Sequence, residues 1–342
     1  MSIQASDPTD AVDPRSRLST SGAVRAAGTN VAPQYFEFAK TDPTETSAAG
    51  SRLWWLRSQA AVVCFAELLP QDPLTFSDLP DEFMALVTEP GAVVSVTTGP
   101  GLEPDQTIAA AGRALVVVPP GSSSLIADRP TTVILLFSSE SEALCSRCPN
   151  NCFFDRADPN VAAWQAWPPP PGGWRLRVYD VDAVAPAEGR FGRLYRCTTG
   201  MVNWFYQDPG PRDPARLSPH HHDDFEQLSL QLAGDYVHHI RTPWSVDQSR
   251  WREDEHQFCT SPSVTLIPPP SIHTSQGVGD TPHQLLDLFC PPRHDFSAQP
   301  GWVLNADDYP YANTPCATTP CATTPYATTP YATTPDKSSE TP

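Results

Sequence analysis

The chain has 342 residues, which is longer than one average domain and suits two modest domains or one large β-rich domain with tails. Its 22 Lys and Arg residues are outnumbered by 39 Asp and Glu residues, so the net charge is -17. Most of such a surface repels polyanions, which argues against nucleic acid and anionic membranes as partners. A total of 40 prolines and only 18% charged residues disfavour helical bundles and indicate short strands joined by turns.

The N-terminal sequence and the cysteines bear on the compartment of the protein. MSIQASDPTDAVDPRSRLST has no basic segment followed by an apolar one, and no apolar run elsewhere reaches the roughly 20 residues that a membrane helix requires. We therefore predict a soluble, cytoplasmic protein without a membrane partner. In that compartment, the nine cysteines predict free thiols rather than a disulfide framework.

The first half of the chain divides into an arm, a β-rich block and a linker. Residues 1–50 are rich in Ala, Ser, Thr, Asp and Pro without a hydrophobic period, which predicts a flexible N-terminal arm. Residues 51–165 predict a β-rich block, because short β-branched runs bounded by Gly, Pro or Asp recur along them. These runs lie at 60–69, 82–87, 92–99, 114–121 and 131–139. The segment 166–174, AWPPPPGGW, contains the strongest chain breakers and predicts a linker.

A second β-rich block, 175–310, follows the linker. Its apolar runs lie at 175–181, 193–206, 226–240, 263–269 and 284–289. Many short strands with hardly a helical pattern indicate sandwiches or barrels, so the predicted fold class is mainly β. Residues 311–342 form a Thr/Pro-rich tail with a five-residue repeat, in which the recurring proline excludes helix and sheet. This tail is predicted to be extended, either as a spacer or as a repeat expansion without consequence.

Both blocks contain the same phrase, which indicates an internal duplication. ALVVVPPGSSSLIADRPTTVILLFSS in the first block and SVTLIPPPSIHTSQGVGDTPHQLLDLFCPP in the second each have a strand that enters Pro-Pro, a small turn, and another apolar strand that ends in Phe. The second copy has His273 where the first has only serines and leucine.

The histidines indicate where chemistry takes place. All nine lie between His220 and His294, and the first block has none. Within SPHHHDDFEQLSLQLAG, residues His220, His222 and Glu226 share parity, which on a β-strand places them on one face. The leucines of this segment continue that face, while Gln227 and its alternate neighbours point the other way, so we predict an apolar interior and a wet exterior. Imidazole nitrogens and one carboxylate at the mouth of such a barrel suit a divalent cation, with His273 contributed by a different strand.

These residues resemble the two motifs of the cupin superfamily. The first family motif contains H-x-H-x3,4-E, which His220, His222 and Glu226 match, and the second has a histidine after a proline turn, which His273 matches. The family's glycine upstream of the first motif and the asparagine after the second are missing here. The resemblance implies two cupin-type (jelly-roll) β-barrels in tandem with disordered N- and C-terminal tails. It also implies that 51–165 is a degenerate barrel without ligands and that 175–310 binds the metal.

The cupin resemblance implies several functions. The leading expectation is a metal-dependent enzyme that acts on a small oxygenated organic molecule, with Fe(II) or Mn(II) favoured and Ni(II) or Zn(II) as further options. We favour an Fe(II) dioxygenase slightly, and a redox-neutral isomerase or lyase of a sugar or keto compound is the alternative. A third hypothesis is a bicupin that binds a metal or a small ligand without turnover, since one fold hosts many functions.

Two further residues are candidates for a catalytic or substrate-binding role beside the metal. His238 and His239 must face opposite sides of a strand, and we assign His238 to the barrel interior as an acid, a base or a partner of a metal ligand. Arg241 lies near a long loop, from which it could bind a substrate carboxylate, although pairing with surface acids would explain it equally. Barrels with open sheet edges also make a homodimer plausible.

Overall fold

The computed structural model describes residues 31–99 and 106–311. The first 30 residues of the predicted arm and the repeat tail from 312 onward lie outside these ranges. The described residues form 20 strands: β1 (Gln34–Glu37), β2 (Glu45–Thr46), β3 (Arg52–Arg57), β4 (Ala61–Leu68), β5 (Leu74–Leu79), β6 (Phe83–Val87), β7 (Val93–Thr98), β8 (Thr107–Ala111), β9 (Ala114–Val118), β10 (Gly121–Ala127), β11 (Thr131–Ser138), β12 (Arg177–Asp180), β13 (Gly192–Arg196), β14 (Met201–Phe205), β15 (Gln227–Ala233), β16 (Asp235–Arg241), β17 (Glu255–Cys259), β18 (Ser263–Ile267), β19 (Ile272–Val278) and β20 (Gln284–Phe289).

Helices are few and short in the described ranges. The two α-helices are α1 (Glu142–Cys145) and α2 (His294–Ser297). Single 3-10 turns lie at Phe38–Lys40, Asn151–Phe154, Pro214–Arg216 and Gln248–Arg250. No helix among the described residues is long and apolar enough to span a membrane.

The strands form two barrels of the same topology. The first barrel combines a seven-stranded sheet, in the order β12-β9-β6-β11-β4-β3-β2, with a four-stranded sheet, β5-β10-β7-β8. The second combines a six-stranded sheet, β1-β18-β15-β20-β14-β13, with a three-stranded sheet, β17-β16-β19. The phrase that recurs in the sequence forms β9, β10 and β11 in one barrel and β18, β19 and β20 at the equivalent places in the other. The predicted duplication is thus visible in the strand order.

Strand β4 shows why the central strands of the seven-stranded sheet have nearly continuous apolar sequences. Val62 and Cys64 point into the interior of the first barrel, whereas Val63 and Phe65 belong to a second core that includes side chains of the other barrel. A strand that is covered on both faces has no position for a polar residue. The large sheets of the two barrels therefore pack face to face and share this second core.

The leucines of β15 lie in that shared core. Leu228 and Leu230 pack against side chains of the first barrel, including Leu136. Burial of each contributes about 1.5–3 kcal/mol relative to exposure. The prediction that this leucine face lines the interior of the second barrel is wrong, because the first barrel supplies the apolar surface that covers it.

Each barrel includes one strand from the other half of the chain. Strand β1 pairs antiparallel with β18 of the second barrel, with Gln34 opposite Leu266. Strand β12 pairs antiparallel with β9 of the first barrel, with Arg177 opposite Val117. The last part of the segment 1–50 is therefore ordered as an edge strand, because backbone hydrogen bonds to β18 supply the order that its composition does not predict.

A buried carboxyl group, Glu82, joins the first barrel to the end of the second. Its Oε1 accepts a hydrogen bond from the Tyr309 hydroxyl at 2.8 Å. Its Oε2 accepts from the backbone N–H of Thr198 at 3.1 Å and from the Thr198 hydroxyl at 3.0 Å. Burial raises the pKa of Glu82 above its usual 4.5, and this effect outweighs the lowering by its hydrogen-bond donors.

This raised pKa predicts that the stability of the fold decreases as pH rises. A carboxyl group with a raised pKa in the folded state stabilises the fold fully only below its unfolded value of 4.5, and loses that contribution as pH rises through the folded value. Glu82→Gln carries no such charge, so the stability of wild type relative to this variant should fall from pH 4.5 upward. Urea unfolding between pH 4 and 8 measures the difference. The exposed Glu89→Gln is the control, and equal pH profiles for wild type and Glu82→Gln would contradict the prediction.

Candidate metal centre

Three histidines converge at the mouth of the second barrel. His273 lies on β19, and its backbone exchanges two hydrogen bonds with that of His220, at N···O distances of 2.7 and 3.1 Å. His222 follows two residues later. One ring nitrogen from each of the three lies within 4.8 Å of the others. The pairing predicted between the first-motif histidines and His273 is therefore present in the structure.

The hydrogen bonds of two histidines set which ring nitrogen faces the cluster. His220 Nδ1 lies 2.9 Å from the carbonyl oxygen of Ser218, and His273 Nδ1 lies 2.9 Å from that of Ser271. In each case Nδ1–H donates to a carbonyl two residues earlier, so Nε2 holds the lone pair. The Nε2 of His273 is buried and has no hydrogen-bond partner. An imidazole whose Nδ1 is anchored to a carbonyl and whose Nε2 faces the cluster has the arrangement that metal-ligating histidines adopt.

Burial keeps these imidazoles neutral. It lowers the pKa of His273 to about 4 and that of His222 well below its usual value of 6.5. The positive charge of Arg293 lowers both further. Neutral imidazole is the form that coordinates a metal, so His222 and His273 need no deprotonation at neutral pH.

Glu226 lies outside the cluster, contrary to the sequence-based assignment. Its buried carboxylate accepts hydrogen bonds from the backbone N–H groups of Gln59 at 2.8 Å and Ala60 at 3.3 Å, in the first barrel. The chain bends at Asp223 and Asp224, and β15 begins only at Gln227, the residue after Glu226. Strand alternation therefore does not carry from His222 to Glu226, and the parity argument fails at the bend.

Gln227 occupies the position that the carboxylate was expected to fill. Its Oε1 lies 2.8 Å from His222 Nε2, and its Nε2 donates to the Ser229 hydroxyl at 2.9 Å. Ser229 in turn donates to Asp287 Oδ1 at 2.7 Å. All four side chains are buried. Sequence reasoning missed this residue, although the longer spacing that the family motif allows, H-x-H-x4, leads to it.

The interior of the second barrel contains a row of polar side chains, which reverses the predicted faces of β15. Asn203, Asp287, Ser229 and Thr265 lie side by side across four strands of the six-stranded sheet, and all are buried. Both polar atoms of the Asn203 side chain lack a hydrogen-bond partner. Gln227, Ser229 and their alternate neighbours therefore face inward, where the sequence analysis expected solvent. A polar interior is suited to a polar molecule or to ordered water.

His238 lies in this interior. Its ring is fully buried, and it contacts the side-chain amide of Gln231 and the hydroxyl of Ser275, the latter at 2.9 Å from Nδ1. Burial lowers its pKa to about 3, so it is neutral at physiological pH. On the neighbouring strand, Ser275 lies two residues from His273 and on the same face. The inward orientation agrees with the prediction, and the catalytic role stays a prediction.

Arg241 lies outside the site. Its guanidinium pairs with the carboxylate of Asp254, at N···O distances of 3.0 and 2.5 Å, and its side chain is 66% exposed. Pairing with a surface acid, which the sequence equally allowed, accounts for this position, and the assignment of Arg241 to substrate binding stays a prediction.

A different arginine lies beside the cluster. The guanidinium carbon of Arg293 lies 3.6 Å from the ring centroid of Phe296 and 4.9 Å from that of Phe225, and its nitrogens bind Asp295. Phe225 stacks on His222 at a centroid distance of 4.4 Å. The aromatic packing thus connects a buried cation to one histidine of the cluster. Arg293 follows Pro-Pro just after the end of β20, and nothing in that stretch of sequence indicates an arginine beside the histidine cluster.

The first barrel, within its described residues, offers no equivalent site. Its interior is filled by apolar side chains, among them a cluster of Phe76, Phe83 and Phe137 with ring centroids 4.7–5.4 Å apart. Its sequence, 51–165, contains no histidine. The interior of the first barrel is therefore a packed apolar core.

Comparisons with known proteins bear on this architecture. No family model matches the sequence, and no curated protein is similar to it. Among solved structures, a mutant of oxalate decarboxylase from Bacillus subtilis is similar with a TM-score of 0.51, at 14% identity over 76% of this chain and 78% of that one. A structure of the same enzyme from a study of its Mn(II) centres gives 0.53, at 15% identity over 80% and 82%. The formate complex of Lactobacillus farciminis oxalate decarboxylase gives 0.51, at 14% identity over 77% and 88%.

The strand order and this likeness together decide the fold. The chain folds as a bicupin. The predicted mainly β fold with two cupin barrels in tandem is thus confirmed for the described residues. In this bicupin, the three-histidine cluster lies in the second barrel, as the second-block histidines indicated. The donor set, three imidazoles with the buried Nε2 lone pair of His273 left without a partner, fits a divalent transition metal.

Proposed function

We propose that this bicupin is a divalent-metal enzyme that acts on a small organic acid. The observation that carries the proposal is the convergence of His220, His222 and His273, with their ring nitrogens within 4.8 Å and with His222 and His273 buried and neutral. Three imidazoles leave coordination positions open, which is the arrangement of catalytic rather than structural sites. Mn(II) is our first choice of ion, because one of the similar structures comes from a study of Mn(II) centres.

The roles of the chain's own residues follow from their positions. A bound divalent ion supplies a Lewis acid that polarises an oxygen of the substrate. His220 and His273 hold their rings in place through the carbonyls of Ser218 and Ser271. Phe225, packed against His222, shields one side of the cluster from water. The polar interior beneath the cluster provides hydrogen-bonding groups for the remainder of the substrate.

A lyase-type reaction is the one we propose. The similar structures are oxalate decarboxylases, and decarboxylation breaks a carbon–carbon bond of a small acid and releases CO2. The Fe(II) dioxygenase favoured from the sequence has no specific support among the comparisons. Identity of 14–15% carries the fold and not the substrate, so oxalate is one candidate among small carboxylic acids.

The experiment that tests this proposal loads the full chain with Mn(II) and offers a panel of small keto, hydroxy and dicarboxylic acids. Headspace CO2 and dissolved oxygen are followed together. We expect CO2 release without stoichiometric oxygen consumption for at least one acid. Oxygen consumed mole for mole would support the dioxygenase instead, and binding without turnover would support a binding module. His239→Ala, which alters a histidine on the outer face of the three-stranded sheet, is the control and should retain activity.

A further inference from the structure

We infer that Gln227 supplies a fourth protein ligand through its side-chain oxygen, so that the site has three imidazoles and one amide. The inference rests on the proposed function in one respect, that a divalent ion binds at this cluster. It assigns to a neutral residue the place that the sequence motif gives to Glu226.

The distance between donor atoms supports this ligand. Gln227 Oε1 accepts a hydrogen bond from His222 Nε2–H over 2.8 Å, and coordination through Nε2 would move this proton to His222 Nδ1, which has no hydrogen-bond partner. Two donors in adjacent positions on an ion, each bonded at about 2.1 Å, lie about 3.0 Å apart at a right angle. The two atoms therefore have the separation of neighbouring ligands. Gln227 is also the first residue of β15, where the strand enters the barrel below the three histidines.

The orientation of the amide is held from behind. Gln227 Nε2 donates to Ser229, which donates to the carboxylate of Asp287. Reversal of the amide would turn its N–H groups toward the cluster and break the bond to Ser229. Because these side chains are 0–6% exposed, water cannot readily replace the lost bond. The oxygen of Gln227 is thus directed at the cluster by a buried chain of hydrogen bonds.

The carboxylate of the neighbouring residue, Glu226, forms its hydrogen bonds outside the cluster. Glu226 binds the backbone N–H groups of Gln59 and Ala60 in the first barrel. Among the described residues, the group of potential metal ligands at this place contains His220, His222 and His273, without an Asp, Glu or Cys. Gln227 is therefore the oxygen donor that the strand geometry delivers.

The charge of the site changes with this assignment. Three neutral imidazoles and a neutral amide leave the full 2+ charge on a divalent ion, whereas a glutamate ligand would reduce it to 1+. A centre of higher positive charge binds an anionic group more tightly at its open positions. The ligand set therefore favours a carboxylate substrate, which agrees with the substrate class proposed above.

Metal affinity tests the assignment without reference to activity. Chelator competition with Mn(II) and Zn(II) is measured for the full-length wild type, Gln227→Leu and Glu226→Gln. We expect Gln227→Leu to weaken binding at least about tenfold and Glu226→Gln to change it less than about twofold. A wild type that binds neither ion would refute the proposed function. A wild type that binds, together with a Gln227→Leu that binds equally well, would refute only the role of Gln227.

The ring nitrogens provide a second, spectroscopic test. His222 Nδ1 has no hydrogen-bond partner in the structure, so His222 could instead bind the ion through Nδ1 and donate Nε2–H to Gln227. Long-range 1H–15N correlation of histidine-labelled, Zn(II)-loaded protein distinguishes the two states. We expect Nε2 coordination by all three histidines. Coordination of His222 through Nδ1 would show that Gln227 acts as a hydrogen-bond acceptor and would overturn the assignment.

The charge consequence has its own measurement. Gln227→Glu is expected to retain the metal and to weaken the binding of oxalate, used as an anionic probe, at least about tenfold, because it removes one unit of positive charge. Equal oxalate affinity in this variant and in wild type would contradict the inferred effect of the amide ligand.

Discussion

Replacement of His273 by alanine is expected to lower the affinity for Mn(II) or Zn(II) by a factor of about 100 or more. The reason is that His273 Nε2 is a buried lone pair without a partner, which its anchored Nδ1 directs into the cluster. Loss of a ligand exceeds the 10–100-fold effect of losing a residue that merely orients one. Elemental analysis of the purified variant and chelator competition measure the change.

The control for this variant lies on the same three-stranded sheet. His239 projects from its outer face, where its Nδ1 lies 2.8 Å from that of His256. His239→Ala should keep a full equivalent of metal. If His273→Ala also kept one equivalent with unchanged affinity, the three-histidine assignment would be wrong, and the polar interior would have to hold the ion by other groups.

Replacement of Glu226 by alanine is expected to destabilise the protein by about 2–4 kcal/mol while leaving the metal in place. The carboxylate is the acceptor for the backbone N–H groups of Gln59, which is partly buried, and Ala60, which is buried, and its removal leaves both donors without this acceptor at about 1–3 kcal/mol each. Partial relaxation makes the sum smaller than the two terms added. Urea unfolding of the metal-loaded protein measures the loss, and elemental analysis tests retention of the ion.

Two outcomes decide the role of Glu226. Glu253→Ala, in an exposed loop, serves as the matched control and should change stability by less than about 0.5 kcal/mol. Metal loss in Glu226→Ala with normal stability would restore Glu226 as a ligand. Lowered stability with metal retained would assign it to the junction between the barrels.

Much of the fold was predictable because its signals are local. Short β-branched runs between proline and glycine breakers indicate strands, and the recurring phrase around Pro-Pro indicates a duplicated barrel. The pairing of β1 with β18 was not predictable, since it joins residues more than 200 positions apart and the composition of the arm resembles that of a flexible segment. Long-range pairing leaves no trace in hydrophobic periodicity.

The site was predictable in its histidines and not in its oxygen donor. His220, His222 and His273 are recognisable because imidazole is a preferred metal ligand and their spacing coincides with a proline turn in one β-rich block. The prediction placed Glu226 among the ligands because it assumed that strand alternation continues from His222 to Glu226. The chain bends between these two residues, and the sequence gives no sign of the bend. The direction of the Gln227 side chain was predicted wrongly because the apolar face of β15 is covered by the first barrel. The sequence of one strand does not show which other domain covers it.

The exchange of strands between the barrels limits how the chain can be divided. A cut at the proline-rich linker would separate β1 from its partner β18 and β12 from its partner β9. Each fragment would then expose an unpaired strand edge beside the apolar surface of the shared core, the combination that promotes intermolecular pairing and aggregation. We therefore expect the half with histidines and the half without to fold as a single unit, and either half expressed alone to aggregate.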